Sequence, residues 1–497
     1  MRCLKTWRLR IIQMEQNGKQ ANIGKNFLYN TFYQILSLII PLVTTPYISR
    51  IFGADGVGVY SYVNSAATVF SMIAALGVLS YGQRTIAQSR DNKEETSKLF
   101  WEISILCMLS TLACLVLWLV IAALESSFTP HFLVSSFIVL AVAFDITWFY
   151  AGLEEFRFIV LRNSAVKLFG VAILFLLVKQ KDDLLLYMGL VAATGFLGNV
   201  TMWTYLPKFL VKVDVRSLHI FRHLKDTLVY FVPTIAATVY TYVDKVMLRF
   251  LTEGTTENGY YEQSTKIIRV AQVVLLSINT VTTSRMSYLF AQGKLDEMKV
   301  RMEQTLSFIL LLAFPFSFGI IGISENFVPW FFGEGFEPVA RLLRMHCLML
   351  IIIGISNCLG TQYLTPSGQR GRSSIGIVLG ACANVVLNYI LIPKFGAVGA
   401  IVASIAAEFV IFCVYLSMSK AFVSLSMIVK HSWKRIIASL CMLAVVLRMV
   451  DLPISGAALT MLQICVGALV YFVVLVVTRD AMVYEVVTKI VKRIRCK

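Results

Sequence analysis

The sequence carries little charge for its length. Only 15% of its 497 residues are Asp, Glu, Lys or Arg, whereas 58% are hydrophobic. Soluble proteins contain about 25% charged and 45–50% apolar residues. A soluble globular protein is excluded, because so few polar side chains could not cover its surface. A disordered chain is excluded as well, since disorder requires a sequence poor in hydrophobic residues.

Sequence motifs of common enzymes are also missing. The chain has no G-x-x-x-x-G-K-[ST] loop for ATP and no G-x-S-x-G nucleophile turn. Its ten cysteines are scattered, and none lies in a predicted outward loop, so we expect neither disulfides nor a metal site. We expect the five histidines to be solvated or to lie at the membrane interface: His131, His219, His223, His346 and His431. These observations predict a protein that is not an enzyme and has no resident cofactor or metal.

Long hydrophobic runs account for most of the apolar residues. A helix needs about 20 apolar residues to cross the hydrocarbon core of a bilayer. About fourteen runs approach that length, and in hydrocarbon such runs form helices, since every backbone polar group must be paired within the segment. The sequence therefore predicts an all-α polytopic membrane protein with about 14 transmembrane helices. The predicted spans are 27–48, 58–80, 99–123, 132–152, 158–178, 184–207, 226–248, 259–284, 302–323, 340–364, 373–393, 397–419, 435–450 and 455–478.

The net charge of +17 comes from Lys and Arg in alternate loops. Basic residues concentrate in the two tails and in the loops near 84–98, 208–225, 285–301 and 420–435. Short cytoplasmic loops carry such an excess of Lys and Arg. We therefore predict that both termini are cytoplasmic and that the positive charge reflects topology, so no nucleic-acid partner is expected.

Two stretches of the chain resemble each other at an offset of six predicted spans. PYISRIFGADGVGVYSY and VDKVMLRFLTEGTTENGYYEQ share an arginine at the end of one span (Arg50, Arg249), a glycine-containing turn and a Gly-x-Tyr start to the next helix. An even offset predicts two halves of equal orientation, here two pseudo-symmetric six-helix bundles plus two C-terminal helices. The predicted segments are a cytoplasmic tail 1–26, an N-lobe 27–210, a linker 211–225, a C-lobe 226–420, the last two spans within 421–478, and a basic tail 479–497.

Several charged residues fall inside predicted spans: Asp145, Lys167, Asp244, Lys245, Glu262, Lys266, Arg269 and Glu408. Each costs about 2.5–3.5 kcal/mol at the bilayer centre on insertion scales, so such residues generally face a cavity or a partner. Glu262, Lys266 and Arg269 are spaced i, i+4, i+7 and share one helix face with a net positive charge. That face suits an anionic group such as phosphate or pyrophosphate. The alternative is that the charges form ion pairs that fix helix packing, as Asp145 with Lys167 would, or that Asp244 and Lys245 reach an interface.

Uncharged polar residues within spans are further cavity candidates. Interhelical hydrogen bonds are the alternative explanation for them. The candidates are Asn30, Tyr33, Gln34, Asn64, Asn357 and Gln362.

Seven stretches together resemble one known family. They are 44–62 (TTPYISRIFGADGVGVYSY), 81–103, 145–168 (beginning DITWFYAGLEEF), 242–250 (YVDKVMLRF), 326–336 (NFVPWFFGEGF), 354–368 and 387–409. The chain resembles, over about residues 25–480, the Wzx-type oligosaccharide flippases. These belong to the polysaccharide transporter branch of the multidrug/oligosaccharidyl-lipid/polysaccharide exporter superfamily.

This resemblance implies a flippase in the bacterial cytoplasmic membrane. Its substrate would be an undecaprenyl-pyrophosphate-linked oligosaccharide repeat unit, moved from the inner to the outer leaflet for capsule, exopolysaccharide or O-antigen synthesis by alternating access, with H⁺ or Na⁺ coupling. Besides this substrate and membrane lipids, the implied partners are the polysaccharide polymerase and the chain-length regulator. We expect the cations Arg50, Lys167, Lys266 and Arg269 to bind the substrate. Candidates for ion coupling or ion pairing are Asp145, Asp244, Lys245, Glu262 and Glu408.

Three other functions remain open. A multidrug exporter of the same superfamily would require an acidic or neutral apolar lumen, which the basic face of the span near 259–284 disfavours. A membrane-embedded polymerase or ligase would require a large outward loop, and the predicted outward loops are short. A passive scaffold would leave the charged residues in the spans unexplained.

Overall fold

The computed structural model describes the backbone of residues 2–484. It describes the side chains of residues 34–484, apart from those at positions 157, 215, 233, 237, 280, 281 and 370. Within this range the chain contains α-helices, short 3₁₀ turns and one π turn, and no strand. The α-helices are α1 (Arg2–Ala75), α2 (Val78–Ser89), α3 (Lys93–Leu124), α4 (Thr129–Leu140), α5 (Thr147–Gly152), α6 (Phe156–Leu177), α7 (Leu184–Met202), α8 (Leu224–Leu251), α9 (Thr256–Ala291), α10 (Leu295–Phe332), α11 (Pro338–His346), α12 (Met349–Leu359), α13 (Arg370–Phe395), α14 (Ala397–Met418), α15 (Leu425–Arg448) and α16 (Gly456–Val477).

The all-α membrane fold predicted from the sequence is confirmed, but the count of 14 spans is not. In the described residues, 11 helical segments are long and apolar enough to cross a membrane. The predicted span 58–80 and residues 34–48 of the predicted span 27–48 fall in one segment of 56 residues, Gln34–Ser89. The predicted span 226–248 lies within α8 and most of the span 435–450 lies within α15, and these two helices are not among the 11. Many large apolar side chains on the helices are exposed, for example Leu112 and Leu176, as expected of a lipid-facing surface.

Local sequence explains where helices bend and begin. Gly53 has a φ of +65°, which a residue without Cβ adopts at little cost, and it breaks α1 into two helical parts. The Asn92 side chain accepts hydrogen bonds from the backbone N–H groups of Glu94 and Glu95 and so caps α3. The two glutamates also lie in the first turn of α3, where negative charge is favourable.

The chain divides into two compact units, each made of two separate stretches of the sequence. Unit 1 contains residues 1–45 and 66–235, and unit 2 contains residues 46–65 and 236–497. The middle of α1 thus belongs to unit 2 although the rest of that helix belongs to unit 1. The internal symmetry inferred from the sequence repeat stays a prediction.

Unit 1 has an aromatic core and, beside it, a buried cluster of polar contacts around Glu102. The core includes Phe100, Trp148 and Phe149. Next to it, the fully buried carboxylate of Glu102 accepts hydrogen bonds from the backbone N–H of His219 (2.7 Å) and from the Arg222 guanidinium (2.5 Å), and it lies 2.8 Å from His223 Nε2. These contacts hold the predicted linker 211–225 against α3.

In unit 2, the α1 segment 46–65 packs closely against the start of α9. A Cβ atom at Gly58 would lie 1.8 Å from the carbonyl oxygen of Thr255, and one at Gly259 would lie 1.9 Å from that of Ala54. The two backbones can approach this closely because both positions are glycines. Gln263 of α9 also donates a hydrogen bond to Ser49 Oγ (2.8 Å).

A buried arginine holds the last two helices, α15 and α16, against α10 within unit 2. Arg435 of α15 pairs with Asp480 (3.3 Å) and donates to the backbone oxygen and the hydroxyl of Ser307 on α10. The sequence assigned Arg435 to a basic cytoplasmic loop, but the side chain is only 1% exposed. The predicted tail 479–497 is described only as far as residue 484, and the side chains of the predicted tail 1–26 lie outside the described residues.

Candidate functional site

A polar cavity of about 220 Å³ lies within unit 2, among α8, α9, α11, α12 and α14. In its lining the side chains of Asp244, Tyr261 and Ser404 are buried and that of Arg269 is exposed, and we refer to the exposed side of the cavity, with Arg269, as its mouth. The cavity is lined by Tyr240, Thr241, Asp244, Tyr261, Thr265, Ile268, Arg269, Gln272, His346, Met349, Ile353, Ser404 and Glu408.

Asp244 is the most heavily hydrogen-bonded carboxylate of the cavity. It accepts hydrogen bonds from Ser404 Oγ (2.6 Å), from Asn388 Nδ2 (2.5 Å) and from the Tyr261 hydroxyl. Asn384 Oδ1 accepts a second hydrogen bond from Asn388 Nδ2 (3.1 Å). Three donors stabilise the charged form of the carboxylate, which a buried acid requires. Asp244 is 2% exposed, so it does not reach an interface as the sequence allowed.

Glu408 has one protein partner. The Tyr240 hydroxyl donates to its Oε1 (2.7 Å), and within the described residues its Oε2 accepts no hydrogen bond. Glu408 is 8% exposed and lines the cavity, so Oε2 is left to accept from a guest molecule.

The three charges spaced along α9 differ in their partners. Glu262 lies between two lysines: Lys245 Nζ of α8 is 2.6 Å from its Oε2, and Lys266 Nζ is 3.6 Å from its Oε1. Ser61 Oγ of the α1 segment also donates to Oε2 (3.0 Å). One carboxylate thus serves two ammonium groups, and this group of three keeps a net charge of +1.

Arg269 differs from the other predicted cations because it has no protein partner. In the part of the chain with described side chains, its guanidinium makes no hydrogen bond and no ion pair. Its five N–H donors are therefore open to a ligand at the mouth of the cavity. The sequence predicted the same substrate-binding role for Lys266 and Arg269. In the structure Lys266 pairs with Glu262, whereas Arg269 has no partner among the described residues.

The other two predicted cations have local partners. Arg50 donates to the carbonyl oxygen of Trp330, and its side chain packs against Gly333. Lys167 Nζ donates to Ser37 Oγ (2.7 Å) in unit 1. An ion pair between Lys167 and Asp145, one of the readings of the sequence, does not form.

Asp145 instead stabilises the start of α5. Its Oδ1 accepts from the backbone N–H (3.0 Å) and the hydroxyl (2.6 Å) of Thr147. The hydrogen bond to the backbone N–H two residues on forms an Asx-type turn just before α5, and it explains the carboxylate without an ion-coupling function.

The uncharged polar candidates within the predicted spans differ in burial and in hydrogen bonding. Asn357 Oδ1 accepts from Asn279 Nδ2 (2.8 Å), and Asn279 Oδ1 accepts from the Nε2 of the buried Gln362 (3.1 Å), so these residues form an interhelical hydrogen-bond chain. Asn64 is half-buried with an interaction of its own, and Gln34 is exposed. The side chains of the candidates Asn30 and Tyr33 lie outside the described residues.

Sequence reasoning missed several residues of the cavity. Tyr240, Tyr261, Gln272 and Ser404 are ordinary residues of a membrane helix, and nothing in their spacing sets them apart. The expectation that all histidines are solvated or interfacial was wrong for His346, which lines the cavity at 3% exposure, with Nδ1 3.1 Å from Ser264 Oγ. A signal existed in the polar run NGYYEQST (258–265), which is unusually hydrophilic for a transmembrane helix.

In fold, the chain is similar to two kinds of solved transporter. It matches the lipid II flippase MurJ in an inward closed conformation with a TM-score of 0.73, at 17% identity, covering 92% of this chain and 99% of that one. It matches an inward-facing MATE family multidrug resistance transporter with a TM-score of 0.59, at 14% identity, covering 78% and 95%. These identities establish the fold alone, and the fold does not distinguish a flippase from a drug exporter.

Sequence comparison carries the assignment further. A putative O-antigen transporter of Shigella dysenteriae is 24% identical over 398 residues, which cover 78% of this chain and 97% of that protein. Residues 23–290, more than half of the chain, match the family described as polysaccharide biosynthesis protein. These matches confirm the resemblance found in the sequence, and the chain belongs to the polysaccharide biosynthesis protein family.

Proposed function

We propose that this chain is a flippase that moves undecaprenyl-pyrophosphate-linked oligosaccharide repeat units from the inner to the outer leaflet of the bacterial cytoplasmic membrane. The observation that carries the proposal is an arginine, Arg269, that has no partner among the described side chains and lies at the mouth of a polar cavity in a bundle of apolar helices. A lipid-linked headgroup of hydroxyls and phosphates must find such polar groups inside the protein, because hydrocarbon offers none. Family membership and the putative O-antigen transporter relative support the same substrate class.

The proposed mechanism is alternating access without covalent chemistry. The headgroup enters from the cytoplasmic side, polar side chains replace part of its hydration, and the polyprenyl tail stays in lipid. Both termini lie in the cytoplasm in this scheme, as the basic loops predict. The polymerase and the chain-length regulator receive the product at the outer leaflet.

The proposed pyrophosphate ligands are Arg50, Lys167 and Lys266. Each has a protein partner in this structure, namely Trp330 O, Ser37 Oγ and Glu262. Binding of pyrophosphate by any of them therefore requires exchange of that partner for the ligand. Lys266 is best suited, because Glu262 keeps Lys245 as its closer partner when Lys266 turns away.

We further propose that Asp244 binds the coupling ion. Next to its carboxylate lies Asn388 Oδ1, a buried acceptor without a hydrogen-bond partner among the described residues. An acid, an amide oxygen and the Ser404 hydroxyl form a small oxygen-rich set of the kind that binds hard cations such as Na⁺. Substituting Asn388 by Ala is expected to reduce the Na⁺ dependence of transport, and transport equally dependent on Na⁺ in this variant would remove Asp244 from the coupling step.

The alternative is a cation-coupled multidrug exporter. The two carboxylates of the cavity, Asp244 and Glu408, favour a cationic guest. Family membership and the putative O-antigen transporter relative do not favour this function. Drug-resistance profiles of a strain lacking this chain separate the two functions, because loss of a flippase leaves drug tolerance unchanged and stops polymer export.

The test of the proposed function uses two arginines of one helix. Arg269→Ala is expected to reduce polymer export at least tenfold in a strain that depends on this chain, whereas Arg285→Ala is expected to leave export unchanged. Arg285 is a suitable control because it is an exposed residue of α9 that pairs with Glu297 (3.2 Å). Immunoblots of membrane fractions check that both variants are inserted in equal amounts. Normal export by Arg269→Ala would contradict a role of this cavity in transport.

A further inference from the structure

We propose that the cavity of unit 2 holds one pyranose ring of the oligosaccharide, bound by Arg269, Gln272 and Glu408, and excludes the pyrophosphate. This inference rests on the proposed flippase function and assigns the sugar and the phosphate to different places. Four properties of the cavity support it: its size, its free hydrogen-bonding groups, its charge and its apolar surface.

The size of the cavity suits a single sugar ring. A hexose with its hydroxyl groups occupies roughly 200 Å³ at the packing density of proteins, and the cavity measures about 220 Å³. Because the two volumes are close, we infer that the remaining sugars of the repeat unit lie outside this cavity.

The free groups at the mouth match the hydroxyls of a sugar. Each hydroxyl donates one hydrogen bond and accepts others, so a site for adjacent hydroxyls needs acceptors and donors side by side. Glu408 Oε2 provides an acceptor, the Arg269 guanidinium provides donors, and the Gln272 amide provides both. Within the described residues none of these three groups has a protein partner.

The charge of the cavity disfavours pyrophosphate. Two carboxylates, Asp244 and Glu408, line the same space as the single cation Arg269. A group with two or more negative charges would lie against both acids, and like charges brought together at a binding site cost several kcal/mol. A neutral pyranose ring meets no such penalty, and one carrying a carboxylate could pair it with Arg269 at the mouth.

Part of the cavity lining is apolar. Ile268, Met349 and Ile353 contribute aliphatic surface, and Tyr240 and Tyr261 contribute aromatic rings. Sugar rings have C–H faces as well as hydroxyls, so a site with apolar surface and a few placed polar groups complements them.

The experiment compares two lipids and uses the full-length protein in nanodiscs. One lipid is the undecaprenyl-pyrophosphate-linked oligosaccharide extracted from a strain that lacks this chain, and the other is undecaprenyl pyrophosphate without sugar. Gln272→Trp fills the mouth of the cavity without changing charge, and Arg269→Ala removes the free cation from an exposed position. Both variants are expected to bind the sugar-bearing lipid at least tenfold more weakly than the wild type does and to bind the sugar-free lipid equally well.

Matched controls lie on the same helix. Tyr288→Trp and Arg285→Ala change exposed residues of α9 outside the cavity and should leave the affinity for both lipids unchanged. An equal loss for both lipids in the cavity variants would place the pyrophosphate there and overturn the proposal. Unchanged binding of the sugar-bearing lipid would overturn it as well. In both cases transport by the wild type would still support the flippase function, whereas a wild type that binds and moves neither lipid would refute that function itself.

Discussion

Glu102 of unit 1 and Glu408 of unit 2 are both glutamates buried within apolar helices, but their surroundings differ. Glu102 is fully enclosed, and the backbone N–H of His219, the Arg222 guanidinium and the His223 ring surround its carboxylate. Among the described residues, Glu408 has only the Tyr240 hydroxyl as a hydrogen-bond partner, and it borders a cavity. The comparison teaches that burial alone does not indicate a functional acid. Unused hydrogen-bonding capacity next to open space does, because only such a group can bind a guest without losing a protein contact.

The largest expected effect tests the difference between Glu102 and Glu408. Glu102→Gln is expected to lower the free energy of unfolding by about 3 kcal/mol, because the fully buried carboxylate accepts from three groups and an amide in its place turns a donor toward the Arg222 guanidinium and the buried His223 ring. Glu408→Gln is expected to lower it by less than about 1 kcal/mol, the cost of weakening one hydrogen bond, while reducing transport. Denaturant unfolding in detergent measures both. Equal losses of stability would show that the two acids have the same structural role.

A second comparison concerns the two lysines of Glu262. Lys245→Met is expected to lower the free energy of unfolding by about 3 kcal/mol, because the lysine side chain is 6% exposed and its Nζ is 2.6 Å from the Glu262 carboxylate. Lys266→Met is expected to cost about 1 kcal/mol or less, since its side chain is 26% exposed and the pair is longer, at 3.6 Å. The double variant Lys245→Met with Glu262→Gln should recover part of the loss in a double-mutant cycle. If Lys266→Met costs as much as Lys245→Met, the two lysines contribute equally.

The third prediction tests the close crossing of the α1 segment with α9. Gly58→Ala is expected to destabilise unit 2 by about 2 kcal/mol, because the new methyl group would overlap the backbone of Thr255 and the helices would have to separate. Gly195→Ala is the matched control, since a Cβ at this helical glycine of α7 meets nothing within 4 Å. Thermal unfolding of both variants in detergent gives the difference. A Gly58→Ala protein as stable as the control would show that the crossing can relax.

The smallest effect is expected at a surface ion pair of unit 1. Arg90 and Glu154 are 3.0 Å apart, but their side chains are 42% and 68% exposed. Arg90→Ala should therefore change the free energy of unfolding by no more than about 0.5 kcal/mol, and less at high salt. If the free energy of unfolding fell by 2 kcal/mol in the same assay, this pair, like Glu102, would be important for the stability of unit 1.

Much of the fold could be predicted because hydrophobic runs of bilayer length have few alternatives to a helix. The kink at Gly53 also follows from a residue that tolerates positive φ. The candidate site was predicted less well. The spacing of Glu262, Lys266 and Arg269 placed all three on one face of α9, but it could not indicate that Lys245 of α8 would take the closer position at Glu262.

The sequence by itself was enough to predict that the protein lies in a membrane, that it is helical and which family it resembles. Composition, the length of apolar runs and local motifs can all be read from the sequence without knowing which segments are in contact. Only the tertiary structure decided which charges are paired and which are free. Asp145 forms a turn with Thr147 at the start of α5, Lys266 shares Glu262 with Lys245, and Arg269 lines a cavity with no partner among the described residues. The physical reason is that an ion pair or a hydrogen bond depends on distances of a few ångströms between helices far apart in the chain, and helical spacing along one segment does not contain those distances.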